Sequence, residues 1–205
     1  MTVRAVFFDF GGVLGRFDRV GVRELEERFG LPDGAIVTAF YRIPEWEQVA
    51  IGRLPEPDWL DAVGRKLDEL AGRPIPEIRD EWAGAWNTVD HDVVSLASGL
   101  RGRYRIGVLS NSTPRLETEL LGANGIHDMW DVVINSARVG VAKPNARIYQ
   151  IAAERIGVPP EACLHIDDLE ASVRGAEAAG FSAIHHQGDF LELASQLKLL
   201  GVTVS

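Results

Sequence analysis

The 205-residue sequence has one cysteine, Cys163, and two methionines. One thiol excludes an intramolecular disulfide, and a cytoplasmic location is expected. Cations are also scarce. Twenty-one Lys and Arg stand against 30 Asp and Glu, a formal charge of −9. Nucleic acid is therefore not expected as a partner, because phosphate contacts need clustered Lys and Arg. A small anionic ligand stays open, since one local positive site can hold a phosphate on an acidic protein. No apolar run approaches the ~18 residues of a membrane span. The start, MTVRAVFFDF, lacks the long apolar core and cleavage site of a signal peptide. Internal repeats and low-complexity segments are missing too. The five histidines lack metal-ligand spacing. His165 lies inside one expected strand, and His185 and His186 are adjacent on another, so all three read as structural. Cys163 begins a strand and reads as a small core residue.

What remains is ordinary globular composition, 46% hydrophobic and 25% charged, enough for one large domain or a domain with an insertion. Five short apolar runs read as buried strands: VRAVFF (3–8), RIGVLS (105–110), DVVINS (131–136), CLHID (163–167) and SAIHH (182–186). Helical segments separate them, which suggests a parallel sheet covered on both faces. In KPNARIYQIAAERIG, Ile148, Ile151, Ala152 and Ile156 share one helical face; Pro144 suits the first turn and Gly157 the residue after the end. In NSTPRLETELLGANG, Ser112 and Thr113 are candidate caps ahead of Pro114.

Residues 16 to about 88 differ. RVGVRELEERFG, DGAIVTAFYRI, PDWLDAVGRKLDEL and EIRDEWAGAWN are all helix-like, with Pro-rich joints and no obvious strand. The expected architecture is a doubly wound, Rossmann-like parallel α/β sheet with an inserted all-helical cap. Residues 1–14 and 89–205 form the core, and 15–88 the cap. Trp46, Trp59, Trp82 and Trp86 read first as core aromatics of this helical bundle, with a substrate-facing Trp as the second reading. Arg42, Trp46 and Arg53 are the segment's candidates for substrate contact.

In an open α/β sheet, sites form beyond the carboxyl ends of the strands. Here the first strand ends at Asp9, and the second at Ser110 and Asn111. Lys143 follows the third, and Asp167 and Asp168 end the fourth. Asp9 could attack phosphorus. Lys143, Ser110 and Asn111 could bind the phosphate. Asp9, Asp167 and Asp168 could hold Mg²⁺, which prefers hard oxygen ligands. Gly11 and Gly12 would let backbone N–H groups approach the phosphate. Each group alone has a structural explanation, such as a helix cap, a turn or a surface lysine. Their order along the strands is what points to one rim.

That order resembles the haloacid dehalogenase-like hydrolase superfamily. FFDFGGVL resembles its first motif, VLSNS its second, VAKPNARIYQ its third and HIDDLEASVRGAEAAG its fourth. The likeness spans about residues 3 to 187. Gly11 and GVAKPNARIYQ look most like the bacterial branch that includes a glucose-1-phosphate phosphatase. The resemblance implies Asp9 as nucleophile and Ser110 and Lys143 as phosphate ligands. It implies Mg²⁺ on Asp9, the Gly11 carbonyl, Asp167 and Asp168, and a cap that closes over the site. The expected partner is a small phosphorylated metabolite, bound by a monomer or homodimer.

Two departures stand out. Most phosphatases of the superfamily carry a second Asp two residues after the nucleophile, as the acid–base; here it is Gly11. Loss of such a group typically costs ~10²–10⁴ in rate. Leaving groups that need little protonation, those of sugar 1-phosphates, acyl phosphates and aryl phosphates, should then be favoured. Asp18 is the nearest replacement in sequence, although it reads first as a helix cap. After the paired acids, Ala171 and Ser172 stand where the family often has an Asp or Asn that orients the lysine. Two rival readings are a metal-independent 2-haloacid dehalogenase and a ligand- or partner-binding domain without turnover. The adjacent acids of IDD favour the metal-dependent phosphatase over the dehalogenase. A dinucleotide-binding domain is excluded because GGVLG is not G-x-G-x-x-G. A receiver domain would place its acid pair on the first strand.

Overall fold

The computed structural model describes residues 2–16, 18–81 and 88–203. Five strands form one parallel sheet: β1 (Ala5–Phe8), β4 (Arg105–Ser110), β5 (Val132–Asn135), β6 (Cys163–Asp167) and β7 (Ser182–His185). Their order is β5-β4-β1-β6-β7. β1 is central, with Phe8 beside Val108 on one side and Ile166 on the other. The strands are mainly apolar because both faces of the sheet are covered. Successive β1 residues alternate between faces. Val6 and Phe8 pack with α6 (His91–Leu100) and α10 (Phe190–Leu199). Ala5 and Phe7 pack with α8 (Ala146–Ile156) and α9 (Glu170–Ala178). The doubly wound sheet expected from the sequence is therefore present.

α8 buries Ile148, Tyr149, Ala152, Ala153 and Ile156, and Gly157 ends it at φ 72°. Asn145 caps its start by accepting from the Arg147 N–H, so Pro144 lies just ahead of the helix rather than in its first turn. Ser112 does not cap the next helix, whereas Thr113 Oγ1 accepts from the Arg115 amide at its start, at 3.4 Å. That helix begins at Leu116 and runs to Gly122 with π-helical bonding. The Ser112 amide donates instead to Ser136 Oγ at 3.0 Å, and the Thr113 hydroxyl donates to Glu56 at 3.3 Å.

Between residues 16 and 88 the described residues form five helices: α1 (Arg19–Phe29), α2 (Ala35–Tyr41), α3 (Pro44–Val49), α4 (Glu56–Ala71) and α5 (Ile78–Glu81). They enclose their own apolar cluster, which includes Val22, Leu25, Ile36, Phe40, Trp59, Val63, Leu67 and Ile78. Trp82 and Trp86 lie outside the described residues. Asp18 caps α1 by accepting from the Gly21 N–H at 2.9 Å, which gives it a structural task. Glu26 is a buried carboxylate. It accepts from the Gly34 and Ile36 amides at 3.0 and 2.8 Å and so caps α2. No strand is obvious from the sequence near this unit. The structure has two: β2 (Gly15–Arg16) pairs antiparallel with β3 (Thr88–Val89). This ribbon joins the entry and exit of the helical unit, and the Arg16–Asp90 ion pair at 2.8 Å flanks it.

Candidate active site

The sheet's winding reverses at β1, and the crevice outside the carboxyl ends of β1, β4 and β6 collects the polar residues. The Asp9 backbone continues the ladder to Ile166 at 2.9 Å, while its Oδ1 accepts from the Phe10 amide at 2.7 Å. Ser110, at the end of β4, also hydrogen-bonds the Asp9 carboxylate. Lys143 is buried, and its ammonium has three partners. These are the Leu109 carbonyl at 2.9 Å, Asp9 Oδ1 at 3.1 Å and Asp167 Oδ2 at 2.5 Å.

The sequence expectations divide here. Asn111 was expected to donate to a phosphate. Its side chain instead clamps the Lys143 main chain, donating to the carbonyl at 2.9 Å and accepting from the amide at 2.8 Å. Gly12 was expected to offer its N–H to the phosphate, but that group donates to the Gly15 carbonyl at 3.0 Å. Glycine is required there for two other reasons. Its φ is +73°, and an added Cβ would sit 2.3 Å from Asp168 Oδ2. Gly11 is exposed, and a Cβ there would meet nothing within 4 Å.

Asp167 Oδ2 also contacts His165 Nε2 at 2.9 Å, and Oδ1 accepts from the Leu169 amide at 2.9 Å. Burial holds the His165 pKa below its usual value, so the ring is neutral and Nε2 carries the proton that Asp167 accepts. Sequence reading gave His165 no part in the site. The available signal was its position two residues before Asp167, which puts both side chains on one face of β6. Support for Lys143 thus comes from Asp167 and Asn111, not from the stretch around Ala171 and Ser172.

Charge is crowded in this rim. Burial works against the Lys143 ammonium, yet the charges of Asp9 and Asp167 outweigh it and raise its pKa. Burial likewise opposes ionisation of Asp167, and Lys143 and His165 overcome it, holding the carboxyl well below the usual range. Asp9 is pushed up by burial, against the pull of Lys143. Asp168 is pushed up to about 6, by burial and then by the charges of Asp9 and Asp167. Asp9, Asp167 and Asp168 each offer a carboxylate oxygen within 4.8 Å of the others. Three carboxylates around one ammonium leave excess negative charge, and this oxygen set fits a hard divalent cation.

Residues 3–180 match the family model described as haloacid dehalogenase-like hydrolase. The chain belongs to that family. Among its relatives is the Mycobacterium tuberculosis protein named Phosphatase MT3486, 32% identical over 192 residues, covering 89% of this chain and 87% of the relative. Two solved structures share the fold. A Bacteroides thetaiotaomicron family enzyme in complex with magnesium and inorganic phosphate has a TM-score of 0.68 at 21% identity, covering 93% of this chain and 98% of that one. The L-2-haloacid dehalogenase of Xanthobacter autotrophicus has a TM-score of 0.69 at 26% identity, covering 100% and 85%.

In this haloacid dehalogenase-like hydrolase the helical unit stands over the rim and forms with it an open cleft of about 140 Å³. Its floor is Phe10, Gly11, Ser110 and Asn111, and its walls include Phe40, Tyr41, Trp46, Trp59 and Glu56. Of the three residues named for substrate contact, only Trp46 lines it; Arg42 and Arg53 are exposed and do not. Trp59 is a core residue of the helical unit and a wall of the cavity at once. Tyr41 was missed, and the aromatic-rich stretch AFYRIPEW was the only signal for it. Its residue surface is 41% exposed, yet burial of the phenol, then the charges of Asp9 and Asp168, push its pKa up to about 12. Among the described residues no helix is long and apolar enough to cross a membrane.

Proposed function

We propose that this hydrolase cleaves a small phosphomonoester through an aspartyl-phosphate on Asp9, with Mg²⁺ as cofactor. The observation that carries this reading is the cluster of Asp9, Asp167 and Asp168 within 4.8 Å, neutralised on one side only, by Lys143. Bound Mg²⁺ would neutralise the incoming phosphate and the carboxylates around it. Asp9 and Asp168 would hold it through their side chains, with the Gly11 carbonyl as the backbone ligand that the family resemblance implies. Asp167 commits both oxygens to Lys143, His165 and the Leu169 amide, so its main part is to aim the lysine.

Asp9 is held by Phe10 N–H and Ser110 with its carboxylate facing the crevice, and attacks phosphorus. Lys143 and the Ser110 hydroxyl offset the negative charge of the transferring group. The helical unit covers the crevice and limits access of water. The relative named as a phosphatase and the fold neighbour crystallised with magnesium and inorganic phosphate support this reading. Gly11 has no proton to give, so substrates with weakly basic leaving groups, the sugar 1-phosphates, acyl phosphates and aryl phosphates, are preferred.

The deciding experiment is phosphate release from 4-nitrophenyl phosphate with and without Mg²⁺, for the native chain and Asp9→Asn. Turnover that requires both Mg²⁺ and Asp9 supports the reading. Metal-independent chloride release from 2-chloropropionate, with no phosphate release, would replace it with dehalogenation at the same aspartate.

A further inference from the structure

The cavity beside Gly11 has a composition that selects among those leaving groups. Four aromatic rings from the helical unit line it and touch in series. The Tyr41 and Trp46 centroids are 4.9 Å apart, those of Trp46 and Trp59 5.6 Å, and those of Phe40 and Trp59 5.5 Å. Phe10, Leu60 and Leu120 add further apolar surface. Most of the polar side chains on the opposite wall are already paired. Glu56 accepts from the Thr113 hydroxyl and lies 3.6 Å from Arg115, Arg115 pairs with Glu119, and Asn111 holds the Lys143 main chain. A sugar ring would bring several hydroxyls to a wall with few free partners, and unmatched buried polar groups are costly. A volume of about 140 Å³ leaves room for a six-membered ring, since about 150 Å³ is enough for benzene.

Resting on the phosphatase reading, we propose that the substrate's leaving group is a flat, apolar, weakly basic alcohol, a phenol or an enol, stacked against Trp46 in this cavity. Two independent features converge on it. The aromatic wall selects a planar ring, and the side-chain-free Gly11 selects an oxygen that leaves unprotonated. A phenol has a pKa of about 10, like tyrosine, whereas an aliphatic alcohol lies near water at about 15.7. In the first step an Asp9 oxygen bonds to phosphorus, the bond from phosphorus to the aryl oxygen breaks, and that oxygen departs with the electron pair as a phenolate. In the second, water adds to the phosphorus of the aspartyl-phosphate and the bond to Asp9 breaks. Inorganic phosphate leaves, and the water's proton ends on the phenolate.

The test compares phenyl phosphate, cyclohexyl phosphate, glucose 1-phosphate and acetyl phosphate with the native chain and Mg²⁺. Phenyl phosphate should exceed its ring-saturated analogue by about 10²-fold or more in kcat/KM. Acetyl phosphate, a good leaving group without a ring, should be turned over with a KM about 3- to 10-fold higher than phenyl phosphate. Trp46→Ala should bring those two KM values together. Equal rates for phenyl and cyclohexyl phosphate, a preference for glucose 1-phosphate, or an unchanged KM ratio in a folded Trp46→Ala chain would each overturn the proposal and leave the phosphatase reading standing. Absence of turnover on all four, acetyl phosphate included, would overturn both.

Discussion

The strand-end rim and the helical unit above it are built on opposite principles. In the rim the lysine and Asp167 are fully matched. Lys143 has three acceptors, Asp167 has three donors, and Asn111 ties the loop of Lys143 to the end of β4. Such a network fixes geometry within tenths of an ångström and tolerates no missing member. The helical unit faces the same space with aromatic rings, which bind by shape and surface. Its own buried carboxylate, Glu26, is turned away to cap α2. Chemistry thus sits on the stiff element and selection on the replaceable one, as expected where a scaffold must hold reacting atoms while substrates vary.

The sharpest way to break the rim is Lys143→Met. It leaves Asp9 and Asp167 buried without their cation, which should destabilise the chain by about 3–5 kcal/mol and lower kcat by ~10³ or more. Urea melts and phosphate release measure the two losses. Gly11→Asp works in the other direction. Open space awaits its side chain, so it should raise turnover of alkyl phosphates by up to ~10² while changing aryl phosphates far less. No gain on alkyl esters would mean that proton supply does not limit the native chain. Asn111→Ala keeps Asp9, Ser110 and the Lys143 ammonium but frees the Lys143 main chain; kcat should fall ~10–100-fold with KM nearly constant. A rise in KM alone would show that Asn111 binds substrate directly. Glu26→Ala perturbs only the helical unit. Two amides lose their acceptor, for a cost of about 1–3 kcal/mol read as a lower Tm.

The smallest effect concerns Asp168. Its folded-state pKa of about 6 lies above the ordinary 3.8. The stability it contributes is present at low pH and lost as pH rises from about 4 through about 6. Mg²⁺ takes the proton's place, so the rise in Tm on adding Mg²⁺ should be greater at pH 8 than at pH 5. Equal shifts would remove Asp168 from the metal site.

The same contrast explains what the sequence revealed. The five parallel strands were legible because each is a short, mainly apolar run between helical segments, and β4 and β6 fall on the expected residues. The chemical residues were legible because they follow those runs directly. Partnerships across the fold were not. Asn111 and Lys143 meet over 32 positions, and nothing in the spacing tells a phosphate donor from a clamp on the lysine main chain. Gly12 looked like a phosphate loop because a glycine required by φ +73° and by Asp168 reads the same as one required by a ligand. The ribbon of β2 and β3 has only two residues per strand, too few for any alternation to show. Tryptophans in an amphipathic helix point inward whether they fill a core or face a cavity, so Trp46 and Trp59 could be sorted only in three dimensions.

That ribbon has an evolutionary consequence. The whole helical unit enters and leaves through adjacent strands two residues long, with Gly15 opposite Val89 and Arg16 opposite Thr88. To the sheet, the unit is an excursion that returns to its starting point. It can be lengthened, shortened or exchanged for another fold while the strand tips keep their spacing. Descendants of one catalytic frame can therefore change diet by trading what is plugged into a single narrow socket, rather than by rebuilding the hearth.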